Sequence, residues 1–115
     1  MSRRRSRAVD NVATAAPLFA ALGDPTRLKL VARLSTDGPL SITSLSEGAV
    51  VTRQAITKHL HTLADAGLVR DTRRGRERIW GLEAKRLEAA RHVLDHVSRQ
   101  WDTALGRLKA FVEEG

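Results

Sequence analysis

The chain contains no cysteine, which rules out disulfides, thiolate metal sites and cysteine nucleophiles and is compatible with the cytoplasmic location we expect. Aromatic residues are scarce, two tryptophans and two phenylalanines in 115 residues, so the core must be aliphatic, built from Leu, Val, Ile and Ala. No apolar run approaches the ~18 residues of a membrane span, and no membrane partner is expected. The chain opens with arginines, as a signal peptide does. The stretch from Ala8 to Leu22 is interrupted by Asp10, Asn11, Thr14 and Pro17, so it lacks the continuous apolar segment of an export signal. A glycine-rich phosphate loop, a nucleophile elbow and paired carboxylates are also absent. The acids are scattered as helix caps and charge partners. We therefore expect neither an enzyme nor a cofactor or metal site.

Positive charge is present, and it is concentrated. Arg3, Arg4, Arg5 and Arg7 give residues 1–8 a charge of +4. Arg70, Arg73, Arg74, Arg76 and Arg78 against Asp71 and Glu77 give residues 68–82 a charge of +3. The three remaining stretches are neutral, so these two segments hold the whole net charge of +7. Clustered arginine suits a polyanion, because neutralised phosphates release condensed counterions. Charge alone leaves open a merely solvated basic surface.

Residues 1–8 are polar and without apolar periodicity, which predicts a disordered basic arm. Residues 9–115 form one domain, mainly α with a small β-hairpin: about five helices plus a two-stranded wing. Residues 9–22 read as a helix with Val12, Leu18, Phe19 and Leu22 as its apolar set, and Pro17 either kinks it or starts its regular part. Asp24 caps the next helix with Pro25 at its first position, and that helix stops near Asp37-Gly38-Pro39. Ser41 caps a short helix that ends at Gly48. Thr52 caps a second, running to about Ala66 with Gly67 placed to end it. Two helices around a tight turn outline a helix-turn-helix. Leu68–Arg73 and Arg76–Leu82 read as two strands, with Arg74-Gly75 as their turn. From Glu83 onward, Leu87, Ala90, Leu94, Val97, Trp101, Leu105, Leu108 and Val112 recur every three or four residues. This stripe covers about 26 residues, or ~39 Å of helix, more than a small domain needs for itself.

Helical periodicity divides residues 52–66 into two faces. Ala55, Ile56, His59, Leu60, Leu63 and Ala66 form a core face, with His59 as a partly buried packing residue. Gln54, Thr57, Lys58, His61 and Asp65 form the other, with Arg53 at the edge. Gln can bond adenine bidentately, Arg or Lys can donate to guanine, and the helix N-terminus with the Thr52 hydroxyl can approach a phosphate. An isolated helix with such a face could equally be a solvated surface. The order of capped helix, turn, capped helix and basic hairpin favours duplex DNA as partner over the protein or RNA that other winged helices bind. Thr52, Arg53, Gln54, Thr57, Lys58 and His61 are the expected helix contacts. Arg73, Arg74, Arg76 and Arg78 are expected along phosphates or in a minor groove.

Several segments resemble the ArsR/SmtB family of bacterial repressors. Ala21-Leu22-Gly23-Asp24-Pro25-Thr26-Arg27-Leu28 is similar to its opening helix signature, and Thr52-Arg53-Gln54-Ala55-Ile56-Thr57-Lys58-His59-Leu60 to its recognition helix. Leu63–Val69, Arg74-Gly75-Arg76 and Arg78–Leu82 resemble its helix end and wing, in register over residues 18–82. Gln100-Trp101-Asp102 with Leu105–Leu108 is similar to a subgroup with a tryptophan in the last helix. The resemblance implies a winged-helix homodimer paired through residues 9–22 and 83–115. Leu18, Phe19, Leu94, Val97, Trp101, Leu105 and Leu108 are then the expected interface. It also implies a pseudo-palindromic operator and repression relieved by a small-molecule inducer. Trp101 is a candidate wall for a pocket between the terminal helices, although dimer packing is its simpler role. The chain departs from the family's metal sensors: Ser41–Glu47 has no cysteine. His92 and His96, four residues apart, lie opposite the apolar stripe and lack the second His-plus-acid pair.

Overall fold

The computed structural model describes residues 2–114, with side chains from Val12 onward. Its elements run α1 (Ser2–Leu22), α2 (Pro25–Asp37), β1 (Leu40–Ser41), α3 (Ile42–Ser46), α4 (Arg53–Asp65), β2 (Val69–Arg74), β3 (Glu77–Leu82) and α5 (Ala84–Glu114). The expected helices and wing strands are all present. Their boundaries follow the local chemistry: Asp24, Ser41 and Thr52 each accept a hydrogen bond from a first-turn amide of the helix they precede. At the other ends, Gly38 and Gly67 take the positive φ that releases the chain from α2 and α4.

The structure differs from the sequence expectation in three places. The backbone of residues 2–8 continues α1 instead of forming a disordered arm, since no proline or glycine precedes Pro17 and Arg and Ala propagate a helix well. The side chains of Arg3, Arg4, Arg5 and Arg7 lie outside the described residues. A third strand, β1, joins the wing in the order β1-β3-β2, with Leu40 opposite Trp80. Two residues are too few for an alternating pattern to reveal. The hairpin turn is Gly75-Arg76, between the paired Arg74 and Glu77, one residue later than predicted. Gly75 has φ +64°, so it takes the first central position, where a II′ turn requires glycine.

The core joins one or more residues from every helix to the base of the wing. Leu18 from α1, Leu30 and Leu34 from α2, Leu45 from α3, and Ile56, Leu60 and Leu63 from α4 meet Leu68, Val69 and Trp80. Ala90 and Val93 of α5 close it against Ala15. Leu18, 1% exposed, is consumed by this intrachain core, which corrects its expected place in a dimer interface. Phe19 and Val97 are partly buried against the same core. Beyond Val97 every described residue of α5 is exposed. That free half of the helix contributes to the molecule's longest dimension, 63 Å.

Candidate nucleic-acid interface

The helix-turn-helix is held together by short polar links. Ser41 Oγ accepts from the Ser44 amide at 3.2 Å and Thr52 Oγ1 from the Ala55 amide at 3.1 Å. Arg53 Nη2 donates to Thr43 Oγ1 at 3.3 Å, bracing α4 against α3. Arg53, expected at the edge of the binding face, therefore has one donor engaged within the protein.

Ile56, Leu60 and Leu63 anchor the inner face of α4. Gln54 and Lys58 stand exposed on its outer face and, among the described residues, form no side-chain hydrogen bond or ion pair. Their donors and acceptors are free for an incoming ligand. Thr57 is half-buried, and its hydroxyl donates to the Arg53 carbonyl at 3.0 Å, so its proton is already engaged within the helix. His61 is exposed, and its ring meets Trp80 edge-on, 5.5 Å between centroids at 90°. This contact packs α4 against the base of the wing.

The wing arginines separate into two groups. Arg73 and Arg78 face each other across the strands, on the sheet face that also carries Val69 and Trp80. Arg78 Nε pairs with Asp71 Oδ2 at 3.0 Å, so its charge is partly neutralised within the sheet. Arg70 pairs with Glu83 at 3.5 Å at the base. Arg73, Arg74 and Arg76 are exposed and have no ion-pair partner among the described residues, with Arg74 on the opposite face from Arg73 and Arg76 in the turn. The free cationic density is thus at the wing tip.

Behind α4 lies a polar cluster that periodicity did not reveal. Asp24 Oδ2 accepts from the Arg27 amide at 3.0 Å. The Arg27 guanidinium donates to the Ala21 carbonyl and reaches His59 Nδ1 at 3.3 Å. His59, predicted as a packing residue, is half-buried and serves as a hydrogen-bond partner. The Arg27 amide holds the Asp24 carboxyl below its ordinary value of 3.8; partial desolvation opposes this, and the nearby His59 and Arg27 charges add to it. Trp80, 2% exposed, is the other contributor the sequence hid: it reads as one more strand residue until the sheet places it under His61.

Of the remaining expected interface residues, Leu94 is 55% exposed, Trp101 66%, Leu105 60% and Leu108 57%. Phe111 and Val112 extend the same bare surface. A cleft of about 220 Å³ does open between α1 and α5, lined by Thr14, Ala15, Leu18, Arg86, Ala89 and His92, but Trp101 is not among its walls. His92 Nε2 lies 3.9 Å from Glu88 Oε2.

Known proteins share this arrangement. Residues 22–72 match a helix-turn-helix domain family. The chain is 40% identical over 85 residues to the HTH-type transcriptional regulator Rv2034 of Mycobacterium tuberculosis, an alignment that covers 74% of this chain and 76% of that protein. Among solved structures it is similar to an ArsR-like transcriptional regulator from Rhodococcus sp. RHA1, with 34% identity, a TM-score of 0.68, and coverage of 86% of this chain and 92% of that one. The transcriptional repressor BigR from Xylella fastidiosa is more distant, at 25% identity and a TM-score of 0.59 over 83% of this chain and 91% of that one.

Proposed function

This chain belongs to the ArsR family of helix-turn-helix transcriptional regulators, and from that premise we propose that it is a homodimeric repressor of a pseudo-palindromic operator. The observation that carries the DNA geometry is the free polar face of α4, packed through the His61–Trp80 contact against the base of the wing that carries the free arginines at its tip. In this reading α4 enters the major groove, where Gln54 and Lys58 read base edges and Thr57 contacts a thymine methyl. Thr52 and Arg53 sit at the groove edge, and His61 lies at the seam with the wing. Arg73, Arg74 and Arg76 follow the backbone, with Arg78 as a weaker contributor because Asp71 already faces it.

The dimer is supported by the bare apolar surface from Leu94 to Val112, and the repressor role by the similarity to the transcriptional repressor BigR. The protein then acts where the bacterial chromosome lies, in the cytoplasm. Metal sensing is not part of this reading, because Ser41–Glu47 offers no thiolate. A small-molecule inducer that releases the operator completes it.

A gel-shift titration in increasing salt tests the DNA reading, using duplexes that the purified protein retains from fragmented genomic DNA. Log affinity should fall linearly with log salt, with a slope near −0.9 per phosphate neutralised. A flat salt response, or no retained duplex, would exclude it.

A further inference from the structure

The Asp24–Arg27–His59 cluster touches three helices and has no part in the proposed DNA contacts. Ala21 lies in the last turn of α1, where carbonyls lack an intrahelical partner. The Arg27 side chain supplies that partner and, from the same guanidinium, reaches His59 at 3.3 Å. A guanidinium has donors only, so in this contact His59 Nδ1 is the acceptor. His59 lies in the middle of α4, well round the helix from Gln54 and Lys58. A link at that point fixes the rotation of α4 about its axis, which apolar packing of Ile56, Leu60 and Leu63 constrains less sharply because it is non-directional.

We infer that Arg27 is a positioning residue for DNA recognition, joining the end of α1 to the middle of α4 through the His59 ring. This rests on the DNA-binding reading above. It adds that a displacement of α1 is passed to the recognition helix by one side chain. The charged groups facing His59 are Arg27 from α2 and Asp24 from the cap of α2, whose Oδ2 is 3.9 Å from Nδ1.

The variants R27K, H59L and H59N separate this role from simple stability. Lysine can still serve the Ala21 carbonyl, but its compact ammonium cannot span both partners. The asparagine Oδ1 stands where Nδ1 stood and accepts from Arg27. Each is made in a W101F background, which leaves Trp80 as the sole tryptophan and its emission as a reporter of the α4–wing seam. R27K and H59L should weaken binding to a retained duplex about tenfold, the scale of one hydrogen bond to a charged group, and should shift Trp80 emission. H59N should restore both. Folded R27K and H59L proteins with parental affinity and emission would overturn the inference, as would an H59N variant that behaves like H59L. If the parent retains no duplex, the DNA reading fails, while Trp80 emission still decides the link.

Discussion

In the proposed complex, individual side chains divide the work of binding DNA. Gln54 and Lys58 carry directional groups on a rigid helix, whereas Arg74 and Arg76 carry charge on an exposed hairpin tip. Gln54→Ala and Lys58→Ala should therefore reduce discrimination between operator and random duplex, by about 1–3 kcal/mol where a bidentate base contact is lost. Arg74→Ala and Arg76→Ala should weaken both duplexes alike and lower the salt slope by about 1 each. Competition gel shifts with both duplexes distinguish the two, and wing variants that changed specificity would reverse the assignment. Asp24 makes a second residue-scale prediction. Its folded-state pKa is lowered, so its contribution to stability is complete above the ordinary value of 3.8 and is lost as pH falls through the lower folded value. Asp24→Asn keeps a capping oxygen without the charge. Urea midpoints should show the parent more stable than the variant near neutrality, with the gap closing below 3.8.

Among the elements, the junction from recognition helix to wing is the most constrained. Gly67 has φ +80°, and a Cβ there would meet Arg86 Cγ at 3.0 Å. Gly38 has the same φ but open space around it. Both alanine substitutions meet the left-handed penalty of about 1–2 kcal/mol, and Gly67→Ala must also displace the Arg86 stem. Thermal melts should rank Gly67→Ala below Gly38→Ala, with both below the parent; equal melting temperatures would show that Arg86 yields freely. The elements themselves were legible because their ends carry local chemistry. Asp24, Ser41 and Thr52 announce helix starts, and Gly38 and Gly67 announce ends, in a handful of adjacent residues each. β1 was not legible, because its two residues become a strand only through pairing with Trp80 and Ile79. The turn register was off by one because arginines flank Gly75 on both sides and only its φ identifies the central pair.

For the whole molecule, the outstanding feature is the half of α5 that leaves the domain. Trp101, Leu105, Leu108, Phe111 and Val112 are each more than half exposed on one continuous helix. A soluble monomer rarely shows so long an apolar surface, and a second copy of the same helix is its natural cover. Trp101→Ala and Leu105→Arg should weaken self-association in sedimentation equilibrium, Leu105→Arg more strongly because it brings a charge into the seam. Both should also lose operator affinity, since the two half-sites are then bound independently. Variants that sediment as the parent does would remove this stripe from the interface.

The stripe, the helix-turn-helix and the basic wing were all determined by the sequence alone, because periodicity, capping and charge clustering are properties of neighbouring residues. Tertiary structure decided which of those residues remain available. Leu18 and Phe19 carry the same apolar signal as Leu105, yet folding buries Leu18 fully in the protomer and leaves Leu105 bare. Arg78 and Arg76 read alike in the sequence, yet strand pairing brings Asp71 to Arg78 and leaves Arg76 free in the turn. His59 and Arg27 are 32 positions apart, and only the packing of α2 on α4 makes them a link. Burial and long-range pairing depend on where the chain returns in space, which no local pattern encodes.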